Sequence, residues 1–213
     1  MKLLFWNVDT QKDFLLPDGK LYVKGAEEII PNLQKLTNLA KQYNIKVVNT
    51  GDLHEPGDAE IHSYPDYTTT FPPHCMGGTE GSGFIPETKP QDAVLEFYPE
   101  FVDDHEPRLS IKEARNIILY KDSFDIFSGN CFTKVVLREI NPDMVIAYGV
   151  TSDICVNYAI EGLYERKYRI AVVRDAVKEI KTQPFEKWME MCIMHIETAS
   201  LEKMLPDLLK EKK

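Results

Sequence analysis

Three side chains of this sequence, Asp9, Lys121 and Cys155, form a set able to break an acyl bond, and each follows a short apolar run. A cysteine becomes a nucleophile once its thiol is deprotonated. A carboxylate can accept that proton and later pass it to a leaving amine, while an ammonium steadies both negative charges. Cys155 closes the segment Gly149-Val150-Thr151-Ser152-Asp153-Ile154-Cys155, where an apolar run turns into a helical pattern. A thiol in the first turn of a helix meets the positive end of the dipole and unpaired N–H groups, which lower its pKa. The same N–H groups can hold an oxyanion. Plainer roles exist for each residue: a small core side chain for Cys155, and an ion pair that closes the sheet rim for Asp9 and Lys121.

A second chemical cluster follows another apolar run. Asp52 and His54 are two residues apart, so an extended backbone aims both the same way. Glu60, His62 and His74 come later in the same stretch, which holds three of the five histidines. Mixed imidazole and carboxylate donors suit Zn, Fe or Mn better than Ca or Mg. A polar surface loop with scattered histidines is the competing reading.

The elements that must position these groups are legible as alternation. The runs at residues 3–8, 45–50, 117–120 and 144–150 are short and rich in Val, Ile and Leu, as buried parallel strands are. Between them lie helical patterns: Gly25 to Tyr43 with Ile29, Ile30, Leu33, Leu36, Leu39 and Ala40, then Cys131 to Ile140, then Asp153 to Lys167. A strand is expected at Tyr168 to Val173 and a last helical stretch from Pro184 to Leu208. Residues 94–98 read as a short strand or a turn, and Pro99 to Pro107 as an acidic surface loop. The expected fold is α/β, a three-layer α/β/α doubly wound architecture on a mainly parallel sheet, in one domain over 1–213. Such sheets bind ligands outside the carboxyl ends of their strands. That rule gathers Asp9, Asp52, Lys121 and Cys155 at one rim.

Composition narrows the function. With 25 Lys and Arg against 34 Asp and Glu, the net charge is −9, which argues against a broad nucleic-acid surface. No stretch approaches the roughly 20 apolar residues of a membrane helix, and no secretory signal is read at the start. The four cysteines are far apart in sequence, so free thiols and a cytoplasmic location are expected.

Five ordered segments resemble the nicotinamidase branch of the isochorismatase-like cysteine hydrolases. They are Val8-Asp9-Thr10-Gln11-Lys12-Asp13-Phe14, Asp52-Leu53-His54-Glu55-Pro56-Gly57-Asp58, Pro65-Asp66-Tyr67 through Phe71-Pro72-Pro73-His74-Cys75, Tyr120-Lys121, and Gly149 to Val156. The resemblance implies Asp9, Lys121 and Cys155 as a catalytic triad. It implies Asp52, His54 and His74 as ligands of one divalent metal, Zn first, with Glu60 matching a variable further ligand and His62 its rival. It also implies a cis Val150–Thr151 bond, with the Thr151 and Cys155 N–H groups as oxyanion hole, and Phe14 and Phe71 as aromatic walls for a flat ring. The implied reaction is hydrolysis of nicotinamide to nicotinate and ammonia through a thioester, with a homo-oligomer as the implied assembly. Hydrolysis of another small amide or carbamoyl substrate, a non-catalytic ligand-binding relative, and a redox thiol protein are the other readings.

Overall fold

The computed structural model describes residues 1–99 and 110–210. Its centre is one seven-stranded sheet. The strands are β1 (Leu3–Val8), β2 (Lys46–Asp52), β3 (Val94–Phe97), β4 (Asn116–Lys121), β5 (Met144–Val150), β6 (Ile170–Lys178) and β7 (Met194–Ile196). They lie in the order β3-β4-β2-β1-β5-β6-β7, and every neighbouring pair is parallel. β1, β2 and β5 are buried almost throughout, which is why they read as unbroken apolar runs.

Helices cover both faces. They are α1 (Lys12–Leu15), α2 (Ile30–Gln42), α3 (Ile126–Gly129), α4 (Phe132–Ile140), α5 (Cys155–Glu165), α6 (Phe185–Glu190) and α7 (Thr198–Lys210), with a 3-10 turn over Ala26–Ile29 leading into α2. On one face, Leu33, Leu36 and Leu39 of α2 and Leu201 and Leu205 of α7 pack over Phe5, Val47 and Ile146. On the other, Val136 and Leu137 of α4 and Val156, Ile160 and Leu163 of α5 pack over Leu4, Trp6 and Val145. This is the three-layer arrangement expected from the alternation.

One local reading is settled, one changes, and one short helix is unanticipated. Residues 94–97 are a true strand at the sheet edge, paired with β4. The stretch from Pro184 to Leu208 is not one helix, because β7 interrupts it and pairs with β6. Ile196 supplies the buried side chain of that strand, and the isolated triplet Met194-His195-Ile196 carries too little periodicity to be seen. Between Asp122 and Asn130, where the sequence shows no helical pattern, lies the short α3, capped by the Asp125 carboxylate accepting from Phe127 N–H. Most of the acidic stretch from Pro99 to Pro107 lies outside the described residues.

The winding reverses between β1 and β5, and this is the crevice where doubly wound sheets bind ligands. Gly149 lets the two strands close there. A Cβ at this residue, which has φ 119°, would stand 2.0 Å from the Val8 carbonyl oxygen.

Candidate active site

Each strand end at this crevice delivers one group. Asp9 leaves β1 with φ 48°, a left-handed conformation that is uncommon outside glycine. Two bonds to β2 hold it there: Thr50 Oγ1 donates to Asp9 Oδ1 at 2.5 Å, and Asp9 N–H donates to the Thr50 carbonyl at 3.1 Å. Lys121 ends β4, fully buried, with Nζ 3.0 Å from Asp9 Oδ2 and 3.7 Å from Cys155 Sγ. Nζ also donates to Asp52 Oδ1. Cys155 opens α5 without a side-chain cap, and the Val150–Thr151 peptide before it is cis. The Thr151 carbonyl accepts from Ile154 and Val156 N–H, which fixes the turn that carries the thiol.

Burial is the largest influence on all three groups. It pushes the Asp9 carboxyl up, against the pull of Lys121. Burial also works against the Lys121 ammonium, but Asp52, Asp9 and Cys155 outweigh it and hold that group well above its ordinary value. Cys155 differs from the sequence expectation. Its thiol is driven up, first by burial and then by the Asp9 and Asp52 carboxylates, with Lys121 opposing. The helix start alone does not make this thiolate. An acid–base partner has to take the proton, and Asp9 is placed to do so.

The metal-type donors meet beside this triad. His54 N–H donates to the Cys75 carbonyl at 3.1 Å and Gly77 N–H to the His54 carbonyl at 2.8 Å, tying the two histidine segments together. The Asp58 carboxylate lies 3.1 Å from His54 Nδ1, and the Pro72 carbonyl 2.8 Å from His74 Nδ1. Both partners only accept, so in the neutral form of each ring the proton sits on Nδ1 and an Nε2 lone pair turns inward. Those nitrogens lie 3.9 Å and 3.8 Å from Asp52 Oδ2, and Glu60 Oε2 lies 4.0 Å from His54 Nε2. His54 Nε2 is buried with no hydrogen-bond partner among the described residues.

Lone pairs that converge on a carboxylate with no proton between them repel unless a cation joins them. The spacing leaves room for one such ion, since Zn–N and Zn–O bonds are ~2 Å. The residues present therefore fit a divalent metal. Burial and the Asp52 charge push Glu60 up to about 8, as expected for a carboxyl facing another carboxylate. Asp52 resists burial because Lys121, His74 and His54 hold its carboxyl well below the usual range. His62 is exposed and shares its Nδ1 with the Tyr64 backbone, so it does not face the cluster.

Phe14, Phe71, Phe124, Leu21, Ile154 and Ile180 wall the small pocket that ends on Cys155, Asp52 and His74. Phe14 and Phe71 flank the His74 ring at centroid distances of 5.4 and 6.3 Å, and Phe71 meets Phe124 edge-on at 5.8 Å.

The sequence matches the isochorismatase domain over residues 3–194. The chain belongs to the isochorismatase family. It is 29% identical over 180 residues, 83% of this chain and 86% of the relative, to the Bacillus subtilis uncharacterized isochorismatase family protein PncA. Identity to the Mycobacterium tuberculosis nicotinamidase/pyrazinamidase is 36% over 92 residues, 43% of this chain and 48% of that protein. In fold it resembles the Pyrococcus horikoshii pyrazinamidase solved in complex with zinc, with a TM-score of 0.71 at 23% identity, covering 92% of this chain and 99% of the other.

Sequence reading missed two residues that hold this isochorismatase site in place. Gln11 forms a paired amide clamp on Asp52: its Nε2 donates to the Asp52 carbonyl at 2.7 Å, and Asp52 N–H donates to Gln11 Oε1 at 2.7 Å. Asp13 accepts from Cys75 N–H at 2.7 Å, next to His74. Both stand within the segment Asp9 to Phe14, and their spacing shows no partner because the partners are backbone groups.

Proposed function

We propose that this chain is a cysteine amidohydrolase that converts nicotinamide to nicotinate and ammonia. The observation that carries the reading is the contact of one buried ammonium, Lys121, with both Asp9 and Cys155 beneath an aromatic-walled pocket. The names of the Mycobacterium tuberculosis and Pyrococcus horikoshii proteins support the choice of a pyridine-type amide.

In this reading the Cys155 proton passes to Asp9 as Sγ bonds to the carboxamide carbon. The carbonyl π pair moves to oxygen, where the Thr151 and Cys155 N–H groups hold the charge. Collapse of this adduct breaks the C–N bond, Asp9 returns its proton to nitrogen, and ammonia leaves a thioester on Cys155. Asp9 then takes a proton from water while the water oxygen bonds to the acyl carbon. The C–S bond breaks, Asp9 passes that proton to sulfur to restore the thiol, and the acid product leaves as nicotinate after its proton goes to solvent. Lys121 offsets the carboxylate and thiolate charges throughout.

Asp52, His54, His74 and Glu60 would hold a divalent cation, zinc foremost. Such an ion supplies an electron-pair acceptor for a heteroaromatic ring nitrogen. Phe14 and Phe71 flank the ring. The product suits NAD salvage, and the four free cysteines suit a reducing cytoplasmic setting.

Ammonia release from nicotinamide by zinc-loaded protein, against pyrazinamide and carbamoyl compounds, tests the reading. Nicotinamide is expected to give the highest kcat/KM, and chelation to raise KM. A zinc-loaded protein that releases no ammonia from any of these amides overturns it.

A further inference from the structure

A second cavity, of about 180 Å³, lies on the α2 face of the sheet. That is far above the ~10–15 Å³ that a single water needs. Strands buried on both faces are normally apolar, yet here three adjacent strands place polar side chains in one row. Asn49 of β2, Asn7 of β1 and Tyr148 of β5 stand in register, and residues in register on parallel strands share a face. All three are at most 2% exposed.

Asn7 Nδ2 donates to Asn49 Oδ1 at 3.0 Å and to Thr10 Oγ1 at 2.9 Å, while Asn7 Oδ1 has no partner among the described residues. Tyr148 packs edge-on against Phe5 at 6.0 Å and lines the cavity beside Asn49. Its hydroxyl has no hydrogen-bond partner among the described residues. Asn49 Nδ2 reaches only the Ile117 carbonyl, at a long 3.4 Å, and the polar atoms of such a row that stay unmet cost stability unless something completes their hydrogen bonds.

The walls extend the same chemistry. Gln34, Thr37, Asn38 and Lys41 follow one another at helical spacing along the side of α2 that faces the cavity. The opposite wall is the loop from Pro86 to Asp92, contributing Thr88 and Lys89. That loop is tied down by Arg115 and Asn116, which donate to the Gln91 carbonyl at 2.9 and 2.5 Å. Arg115 is balanced by Asp92 at 3.9 Å. Lys41 and Lys89 make no ion pair among the described residues and face a single further acid, Glu87. The rim is thus locally cationic in a chain of net charge −9.

We propose that this cleft is a binding site for a small hydroxylated anion, a phosphate or carboxylate, separate from the Cys155 pocket. Lys41 and Lys89 meet its charge at the rim, and Asn49, Thr88 and Tyr148 meet its hydroxyl or oxo groups at the floor. The chain from Asn49 through Asn7 to Thr10 ends on the residue after Asp9, so the cleft and the reaction pocket share a buried polar connection.

The test is an NMR titration of the intact protein with glycerol 3-phosphate and with malate, using glycerol as the neutral control. Saturable shifts of the Asn49 and Asn116 side-chain amides are expected, with a dissociation constant below about 1 mM. Lys41→Ala with Lys89→Ala should weaken binding about tenfold, since charge-assisted contacts are lost at exposed positions that do not hold the fold. Tyr148→Phe should weaken it less. A response to glycerol 3-phosphate alone identifies phosphate as the recognised group, and a response to malate alone identifies carboxylate. Absence of shifts with both acids at about 10 mM, equal shifts with glycerol, or shifts unaltered in the lysine variants overturn the proposal and leave a water-filled cleft.

Discussion

Two of this protein's cavities handle polarity in opposite ways. The pocket over Cys155 has apolar walls and keeps its charges at or beneath the floor, with Asp52 lining it and Asp9 and Lys121 behind, all three almost fully buried. The cleft beside α2 has a neutral polar floor and carries its charges at the rim. Buried charge is tolerable only when each ion is matched, and water exclusion then strengthens every interaction that the chemistry needs. Recognition of a soluble ion makes no such demand, because a solvated rim can supply the charge at small desolvation cost. The contrast suggests chemistry in one cavity and reversible binding in the other.

The sharpest break of this contrast is Cys155→Ala. Loss of the nucleophile should reduce ammonia release by on the order of a thousandfold or more, with glycerol 3-phosphate binding in the cleft unchanged. Near wild-type turnover would remove the covalent route.

Lys121→Met is next. It removes the cation shared by two buried carboxylates and should destabilise the fold by about 3–5 kcal/mol, read by urea denaturation. A loss below about 1 kcal/mol would mean that solvent reaches this floor after all.

Gln11→Leu keeps the bulk of the side chain and strips the clamp from Asp52. Zinc affinity, measured by competition with a chromophoric chelator, should fall about 10–100-fold. Turnover at saturating zinc should stay close to wild type. Unchanged affinity would show that β2 alone positions Asp52.

The smallest effect belongs to the cleft. Tyr148→Phe deletes a hydroxyl without a protein partner, so stability should change by less than about 0.5 kcal/mol. A marked loss would reveal that the hydroxyl is bonded within the protein.

How far these sites could be read from the chain depends on where their partners lie. β1, β2, β4 and β5 are visible because burial on both faces makes them apolar, and Asp9, Asp52, Lys121 and Cys155 are visible because they end those runs. β7 escapes notice because three residues at a sheet edge need bury only one side chain. Gln11 and Asp13 escape because they bind backbone, which leaves no complementary residue type to search for. The cleft escapes for a different reason. Asn7, Asn49 and Tyr148 each look like an isolated lapse in a hydrophobic strand, and only the register of β2, β1 and β5 sets them side by side.

Asp52 divides its two oxygens between neighbours, Oδ1 to the Lys121 ammonium and Oδ2 to the imidazole pair. On the proposed reading, ion loading and nucleophile poise are wired in series through a single carboxyl group. If the proposed metal is bound, a path toward a metal-free descendant has to keep the Asp52 charge for Lys121 even after the histidines drift, so Asp52 is the last of these ligands that can be replaced.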